Sequence, residues 1–315
     1  MNRVDHPNQT ARLPLISATN AWIVGGMLVA LFLVGSFYDL QISEALVNPA
    51  NPVGIFGAAY GEYPLALALL VGGLILVLFR NTQKTGLMVT QIVLGSVAIL
   101  GSVAFLVVNP IRFIDGAQAV VIGIDVLLVA AVIWITFRSL RGVNRELAVR
   151  VAIVLLVISL GELLIVNILK IGWERPRMRM LMEVPDATFA PWWSPGTPEK
   201  GLLVASGVAP EEFKSFPSGH TANATVLIAS TALATLKRGW EKALPWLFWG
   251  GVVWGFYVGF SRIIVGAHFL TDTVVGFTVT FLCTLVVYRF AFPRGAGSAL
   301  APDSALAPDT EPGDL

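Results

Sequence analysis

Eight stretches of this chain, near 19–38, 63–80, 87–108, 117–137, 148–170, 219–236, 244–263 and 269–290, are apolar over roughly the 20 residues that a helix needs to cross a bilayer. That pattern leaves little choice of fold class: an all-α, polytopic transmembrane helix bundle of about eight spans. Composition agrees, since only 13% of the 315 residues are charged and 56% are hydrophobic, with a mean hydropathy of +0.76. A soluble domain carries about 25% charged residues. The net charge of +1 supplies no bulk positive field to recruit a nucleic acid. The single cysteine, Cys283, cannot form an intramolecular disulfide.

Charge in the connections orients the spans. Arg80 and Lys84, then Arg138, Arg141, Arg145 and Arg150, then Lys237, Arg238 and Lys242, then Arg289 and Arg294 fall on one side together with the N-terminus. Segment 39–62 carries Asp39, Glu44 and Glu62 with no Lys or Arg, and falls on the other. The positive-inside rule then places both termini in the cytoplasm and the long segment 171–217 outside. The organisation read from this is a cytoplasmic N-terminal leader, 1–18, with Arg3 and Arg12; N-terminal transmembrane helices, 19–137; a transmembrane core, 138–292, with extracytoplasmic loop 171–217; and a disordered cytoplasmic tail, 293–315, rich in Ala, Pro, Asp and Gly. The first apolar run starts near Asn20 behind a polar leader and more spans follow it, so it reads as an anchor.

Several features allow two readings. Segment 39–62, with Pro49, Asn51, Pro52 and Gly57, is expected to be a turn-rich lid or a surface amphipathic piece. Trp192 and Trp193 suit either the lipid headgroup level or a packed loop core. Asp125 and Glu162 fall within spans, where an ionisable group marks a functional site or a polar contact between helices. The Ala, Thr and Ser of 219–236 let neighbouring helices approach closely and place this segment at the bundle centre.

Three islands carry chemistry. In Ser261-Arg262-Ile263-Ile264-Val265-Gly266-Ala267-His268-Phe269-Leu270-Thr271-Asp272, His268 and Asp272 stand four apart and share a face if the segment is helical. A carboxylate beside an imidazole fixes which nitrogen holds the proton and leaves the other to attack or to accept one. Arg262, six residues upstream across Gly266, suits an anion brought to His268. In Phe216-Pro217-Ser218-Gly219-His220-Thr221, Ser218 is a natural N-cap, and the N–H groups of a helix start form an anion site beside His220. At the end of the fifth span, Lys170-Ile171-Gly172-Trp173-Glu174-Arg175-Pro176-Arg177 adds an ammonium and one or two guanidiniums. Lys200, Lys214 and Arg179 also lie in the outer segment, against the charge rule, and invite a negative ligand. Two of the chain's three histidines fall in these islands, all expected at one membrane face.

The set resembles the type 2 phosphatidic acid phosphatase (PAP2) superfamily, whose motifs are Lys-x6-Arg-Pro, Pro-Ser-Gly-His and Ser-Arg-x5-His-x3-Asp. The second is complete as Pro217 to His220 and the third as Ser261-Arg262, His268 and Asp272. The first departs: the spacing from Lys170 lands on Arg177, but Met178 follows it, whereas Pro176 follows Arg175. Arg177 is favoured by spacing, with Arg175 in reserve. The family core has six membrane helices, so eight spans imply two extra.

The resemblance implies an integral membrane lipid phosphatase that hydrolyses a phosphomonoester or diphosphate. Phosphatidate, phosphatidylglycerol phosphate and undecaprenyl diphosphate are the substrate class. It further implies His268 as nucleophile through a phosphohistidine, Asp272 as its orienting carboxylate and His220 as acid and then base. Lys170, Arg177, Arg262 and the N–H groups around Ser218 and Gly219 would hold the phosphate. Cationic side chains take the place of a metal, so no metal and no cofactor are expected, and the partners are membrane lipids and the lipid phosphate itself. A bacterial inner (plasma) membrane is the expected location, with the site on the extracytoplasmic side. A phosphotransferase passing the group to a lipid or glycan acceptor fits the same residues, and an anion transporter would use the same basic groups without needing His268 paired to Asp272.

Overall fold

The computed structural model describes residues 14–114 and 116–292; most of the expected leader, with Arg3 and Arg12, and the expected tail 293–315, with Arg294, lie outside them. Among the described residues all regular structure is helical. In chain order the helices are α1 (Ala18–Leu46), α2 (Pro52–Tyr60), α3 (Tyr63–Leu78), α4 (Thr85–Val108), α5 (Gln118–Ser139), α6 (Arg145–Trp173), α7 (Met178–Glu183), α8 (Lys200–Ala205), α9 (Gly219–Thr225), α10 (Leu244–Ile264) and α11 (Leu270–Ala291). Seven helical segments are long and apolar enough to cross a membrane, with α2 and α3 counted together. The protein is a polytopic helical bundle.

The stretch expected as the remaining span, 219–236, is not among the seven; it is helical but wound differently. After the seven residues of α9 it tightens into ten residues of 3-10 helix, Val226–Thr235. Here Thr231 Oγ1 donates to the Ile228 carbonyl and Thr235 Oγ1 to that of Ala232, each three residues back. At about 1.5 Å rise per α residue and about 2.0 Å per 3-10 residue, the two parts together reach roughly 30 Å, the thickness of a hydrocarbon core. Its small side chains do what the composition implied. Val226, Ala229 and Ala232 pack against Val154, Leu155 and Ile158 of α6 and Leu65 and Ile75 of α3. On another side Ile228 meets Phe248 and Val252 of α10 and Phe277 of α11. Tyr288 of α11 donates its hydroxyl to the Ala229 carbonyl at 2.9 Å.

Helices α1, α4 and α5 form the periphery. Only 17–22% of their apolar windows is buried, against 61% for 52–78. Trp22, Leu100, Leu127 and Trp134 stand at least 62% exposed. In water such apolar patches would drive aggregation, but hydrocarbon is their matching solvent.

Segment 39–62 departs from the expected lid. Helix α1 continues to Leu46, the Asn48 amide donates to the Ile264 carbonyl at 2.7 Å, and α2 then starts. Asn51 Oδ1 caps α2 by accepting from Val53 N and Gly54 N, with Pro52 as the first helical residue. The residues read as breakers are thus a helix-start signal. Helix α2 is a wall: a Cβ on Gly57 would collide with Ser261 of α10, so only glycine permits that approach. Asp125 resolves as an interhelical contact, accepting from Tyr63 Oη at 2.7 Å across α3 and α5. Trp192 packs against α1, its ring tilted 56° to that of Phe32 and its Nε1 donating to Ser36 Oγ, whereas Trp193 is 57% exposed.

Candidate active site

The three islands meet at one end of the bundle through direct hydrogen bonds. Helix α6 stops at Glu174, which takes a left-handed φ of 48° and turns the chain into Arg175-Pro176-Arg177. The Ser215 amide donates to the Arg175 carbonyl at 3.0 Å, joining the first island to the segment before α9. The Ser218 amide donates to the Asp272 carbonyl at 2.9 Å, and Ser215 Oγ donates to Asp272 Oδ2 at 2.6 Å, joining the second island to the third. Between α10 and α11 the chain reverses at Gly266, whose φ of 66° is reserved for glycine.

His268 sits in that reversal, 2% exposed. Its Nδ1 lies 2.5 Å from the Ser215 carbonyl oxygen and 3.8 Å from Asp272 Oδ2. The Ser215 carbonyl is thus the nearer partner of Nδ1, with the Asp272 carboxylate just beyond hydrogen-bond distance on the same side of the ring. The carbonyl only accepts, which puts the proton on Nδ1 and leaves Nε2 with its lone pair. The reason is local. The shared-face argument assumed a helix through His268, but α11 begins at Leu270, and Asp272 in its first turn folds back to accept from the Phe269 amide at 2.8 Å. Burial pushes the His268 ring down to about 3, and Lys170 and Arg177 act in the same direction while Asp272 opposes them. The ring is therefore neutral across the physiological range, the form a nucleophile requires.

The basic residues divide into two sets. Arg175 is 1% exposed; its Nη1 donates to Thr271 Oγ1 and Asp272 Oδ1, its Nη2 to Asp39 Oδ2 of α1, and its Nε to the Ala190 carbonyl. Its plane lies over the Phe269 ring at 4.3 Å. Arg179 is held by Glu212, Lys200 by Glu174 and Lys214 by Glu211. These are internal partners, not ligand sites. Burial alone would push the Glu212 carboxyl up, but the hydrogen bond and charge of Arg179, with Arg177 adding, hold it below the usual range.

The second set has donors to spare. Arg262 is 4% exposed, with Nε and Nη1 unpartnered. Arg177 Nε is likewise enclosed and unpartnered, and its Nη1 stands 3.8 Å from Glu212. Lys170 Nζ donates to the Lys214 carbonyl at 2.8 Å and keeps two hydrogens, with its Cε next to Gly219. All three act electrostatically on His220, and Lys170 and Arg177 on His268 as well. The choice between Arg175 and Arg177 thus has a geometric answer: Arg177 faces the cluster and Arg175 is consumed in the fold.

Ser218 caps α9 by accepting from Thr221 N and Thr221 Oγ1 at 3.3 and 2.9 Å. Its own amide is committed to Asp272, so it is unavailable to an anion, contrary to expectation. The amides of Gly219 and His220, in the first helical turn, have no intrahelical acceptor. His220 packs edge-on to Phe113 and turns Nε2 to within 3.4 Å of Glu62 Oε2. Glu62 and Asp39 both escaped the sequence reading. Neither belongs to a motif; the only trace was an unexplained acid in a segment without basic residues. Glu162, eight residues before Lys170, is fully buried with both oxygens unpartnered. Among the described residues no group of three His, Cys, Asp or Glu side chains is arranged to hold a metal ion.

One comparison with known protein families covers the three islands. The PAP2 superfamily model matches residues 150–296, which contain all three islands. Undecaprenyl-diphosphatase BcrC of Bacillus subtilis (strain 168) is 31% identical over 77 residues, 24% of this chain and 35% of that protein. The match thus spans about a third of that relative's length. No solved structure matches this chain. Residues 150–296, with the clustered islands they carry, are thus similar to the PAP2 superfamily.

Proposed function

We propose that the protein is a membrane phosphatase that removes a phosphoryl group from a lipid phosphate at the outer face of the membrane. The observation that carries this reading is the buried Arg262 guanidinium, whose unpartnered Nε and Nη1 sit in one cluster with Arg177, Lys170 and two imidazoles. Buried donors are almost always satisfied, and a phosphoryl group with three charged oxygens satisfies several at once. Kinship with an undecaprenyl-diphosphatase supports a lipid-linked substrate, with phosphatidate and phosphatidylglycerol phosphate as the monoester candidates.

In this mechanism Lys170, Arg177, Arg262 and the amides of Gly219 and His220 hold the equatorial oxygens, whose charge grows toward the transition state. His268 Nε2 attacks phosphorus in line as the P–O bond breaks, and the proton on Nδ1 stays with the Ser215 carbonyl. His220 gives its proton to the departing oxygen. A water then attacks the phosphohistidine, His220 takes the water's proton, and the N–P bond breaks to release phosphate. Asp272 holds the loop that presents His268, and its carboxylate 3.8 Å from Nδ1 offsets the positive charge that develops on the ring.

The test is release of inorganic phosphate from a panel of purified lipid phosphates by the full chain in detergent, with and without chelator and with no acceptor alcohol added. Release that survives chelation is expected. Turnover that needs an added alcohol would replace hydrolysis with phosphotransfer, and binding without turnover would leave an anion carrier.

A further inference from the structure

A general acid must hold a proton before it can give one away. His220 would have to do so beside the cations Lys170, Arg177 and Arg262, which act on its ring. Three cationic neighbours in a buried site make an imidazolium costly. One carboxylate reaches the ring, and it comes from outside the region that the PAP2 model covers. Glu62 closes the short link between α2 and α3, with Oε2 3.4 Å from His220 Nε2 and 13% of its side chain exposed. That nitrogen is enclosed and has no aligned hydrogen-bond partner, so the pair is at ion-pairing distance but not yet closed.

The carboxylate is held from several sides. Asn223, one turn into α9 from His220, donates Nδ2 to Glu62 Oε1 at 2.5 Å. Trp254 Nε1 of α10 donates to the Gly61 carbonyl at 3.3 Å. On the next residue, Tyr63 Oη donates to Asp125 Oδ1 and to the Leu106 carbonyl, each at 2.7 Å. Lys170, Arg262 and Arg112 face Glu62 electrostatically, and the acid Glu162 interacts with it as a like charge. With Nε2 turned to Glu62, Nδ1 is the nitrogen left for a leaving oxygen.

We propose that Glu62 is the positioning residue of the acid step: its carboxylate pairs with His220 Nε2–H, stabilises the imidazolium against the surrounding cations and aims Nδ1–H at the oxygen that leaves phosphorus. The proposal rests on the phosphatase reading above and deepens it. The proton on Nδ1 goes to the leaving oxygen as the P–O bond breaks, and His220 becomes neutral. In the second step the ring regains a proton from the attacking water as the N–P bond breaks. Glu62 remains a carboxylate throughout. Its contribution therefore grows with the basicity of the leaving group: large for an alkoxide from a phosphomonoester, small for a leaving group already stable as an anion.

The experiment compares two substrates carrying matched alkyl tails, an alkyl phosphate and a nitrophenyl phosphate, turned over by the full chain in detergent. Glu62→Gln keeps the side-chain volume and the bond to Asn223 in altered form. It is expected to lower kcat/KM, which reports P–O cleavage alone, by about tenfold or more on the alkyl phosphate and by no more than about twofold on the nitrophenyl ester, since acid catalysis contributes roughly 10²–10⁴ where it is needed. His220→Ala should show the same selectivity in kcat/KM while its kcat falls on both substrates, because the ring also takes the proton of the attacking water, and Glu62→Asp should recover part of the alkyl rate. Turnover of the nitrophenyl ester doubles as proof that each variant is folded. Equal loss on both substrates, or no loss on either, overturns the role of Glu62. No turnover of either ester by the wild-type chain overturns the phosphatase reading instead, so the two failures are distinguishable.

Discussion

Two polar networks lie side by side at the same end of the bundle and differ in one respect. Around Arg175 every guanidinium nitrogen is paired, with Asp39, Asp272, Thr271 and the Ala190 carbonyl as acceptors. Around Arg262 and Arg177, enclosed guanidinium nitrogens point at nothing in the protein. The residue types match and two of the arginines are neighbours in sequence, so charge alone does not separate a fastening from a binding site. Satisfaction of donors does. The closed network ties α1 and the α10–α11 reversal to the end of α6, and the open one awaits an anion.

The largest expected effect tests the centre of the open network. His268→Ala should lower phosphate release by roughly 10⁴-fold or more, as loss of a nucleophile does, with an unchanged melting temperature in detergent. Next come the two arginines, which should separate cleanly. Arg262→Ala should cost about 10²–10³ in kcat/KM, in line with removal of one oxyanion donor, and little in stability. Arg175→Ala should do the reverse, destabilising by about 3–5 kcal/mol because Asp39 and Asp272 are left buried without their cation. If Arg175→Ala proved as stable as wild type and lost phosphate affinity, the division drawn between the two networks would be wrong.

A smaller effect is read in pH. His268 is held at about 3 in the fold against an ordinary value near 6.5. Between those values the unfolded chain binds a proton that the native ring does not, so this term lowers stability as pH falls from 6.5 toward 3. His268→Asn lacks it, and the melting-temperature advantage of wild type over the variant should shrink on going from pH 7 to pH 4. The smallest effect lies away from the site. Tyr63→Phe should cost about 1–3 kcal/mol by leaving Asp125 one partner short.

The bundle and the clustered islands were legible because both are written in spacing. Apolar runs of span length specify helices whatever surrounds them, and Lys170, Arg177, His220, Arg262 and His268 announce themselves by residue type and interval. What escaped was everything decided by folding back. The Ser215 carbonyl that orients His268 has no side-chain signature. Asp272 sits at the expected interval, yet the helix starts after His268, so the interval meant a different contact. Glu62 and Asp39 belong to segment 39–62, which looked like a turn-rich lid because Asn51-Pro52 reads equally as a break and as a helix start. Arg175 was told from Arg177 by partners on α1 and α11, which no local pattern names.

The tightened stretch Val226–Thr235 has a further consequence. With three residues per turn its side chains stack in straight columns, Val226–Ala229–Ala232 toward α6 and Ile228–Thr231–Ala234 on an adjacent face. Such a rod counts in threes. Adding three residues would lengthen it by about 6 Å and keep each column on its neighbour, whereas adding one would swing every side chain by about 120°. The spacing between the catalytic end and the far end of the bundle is therefore adjustable only in whole turns.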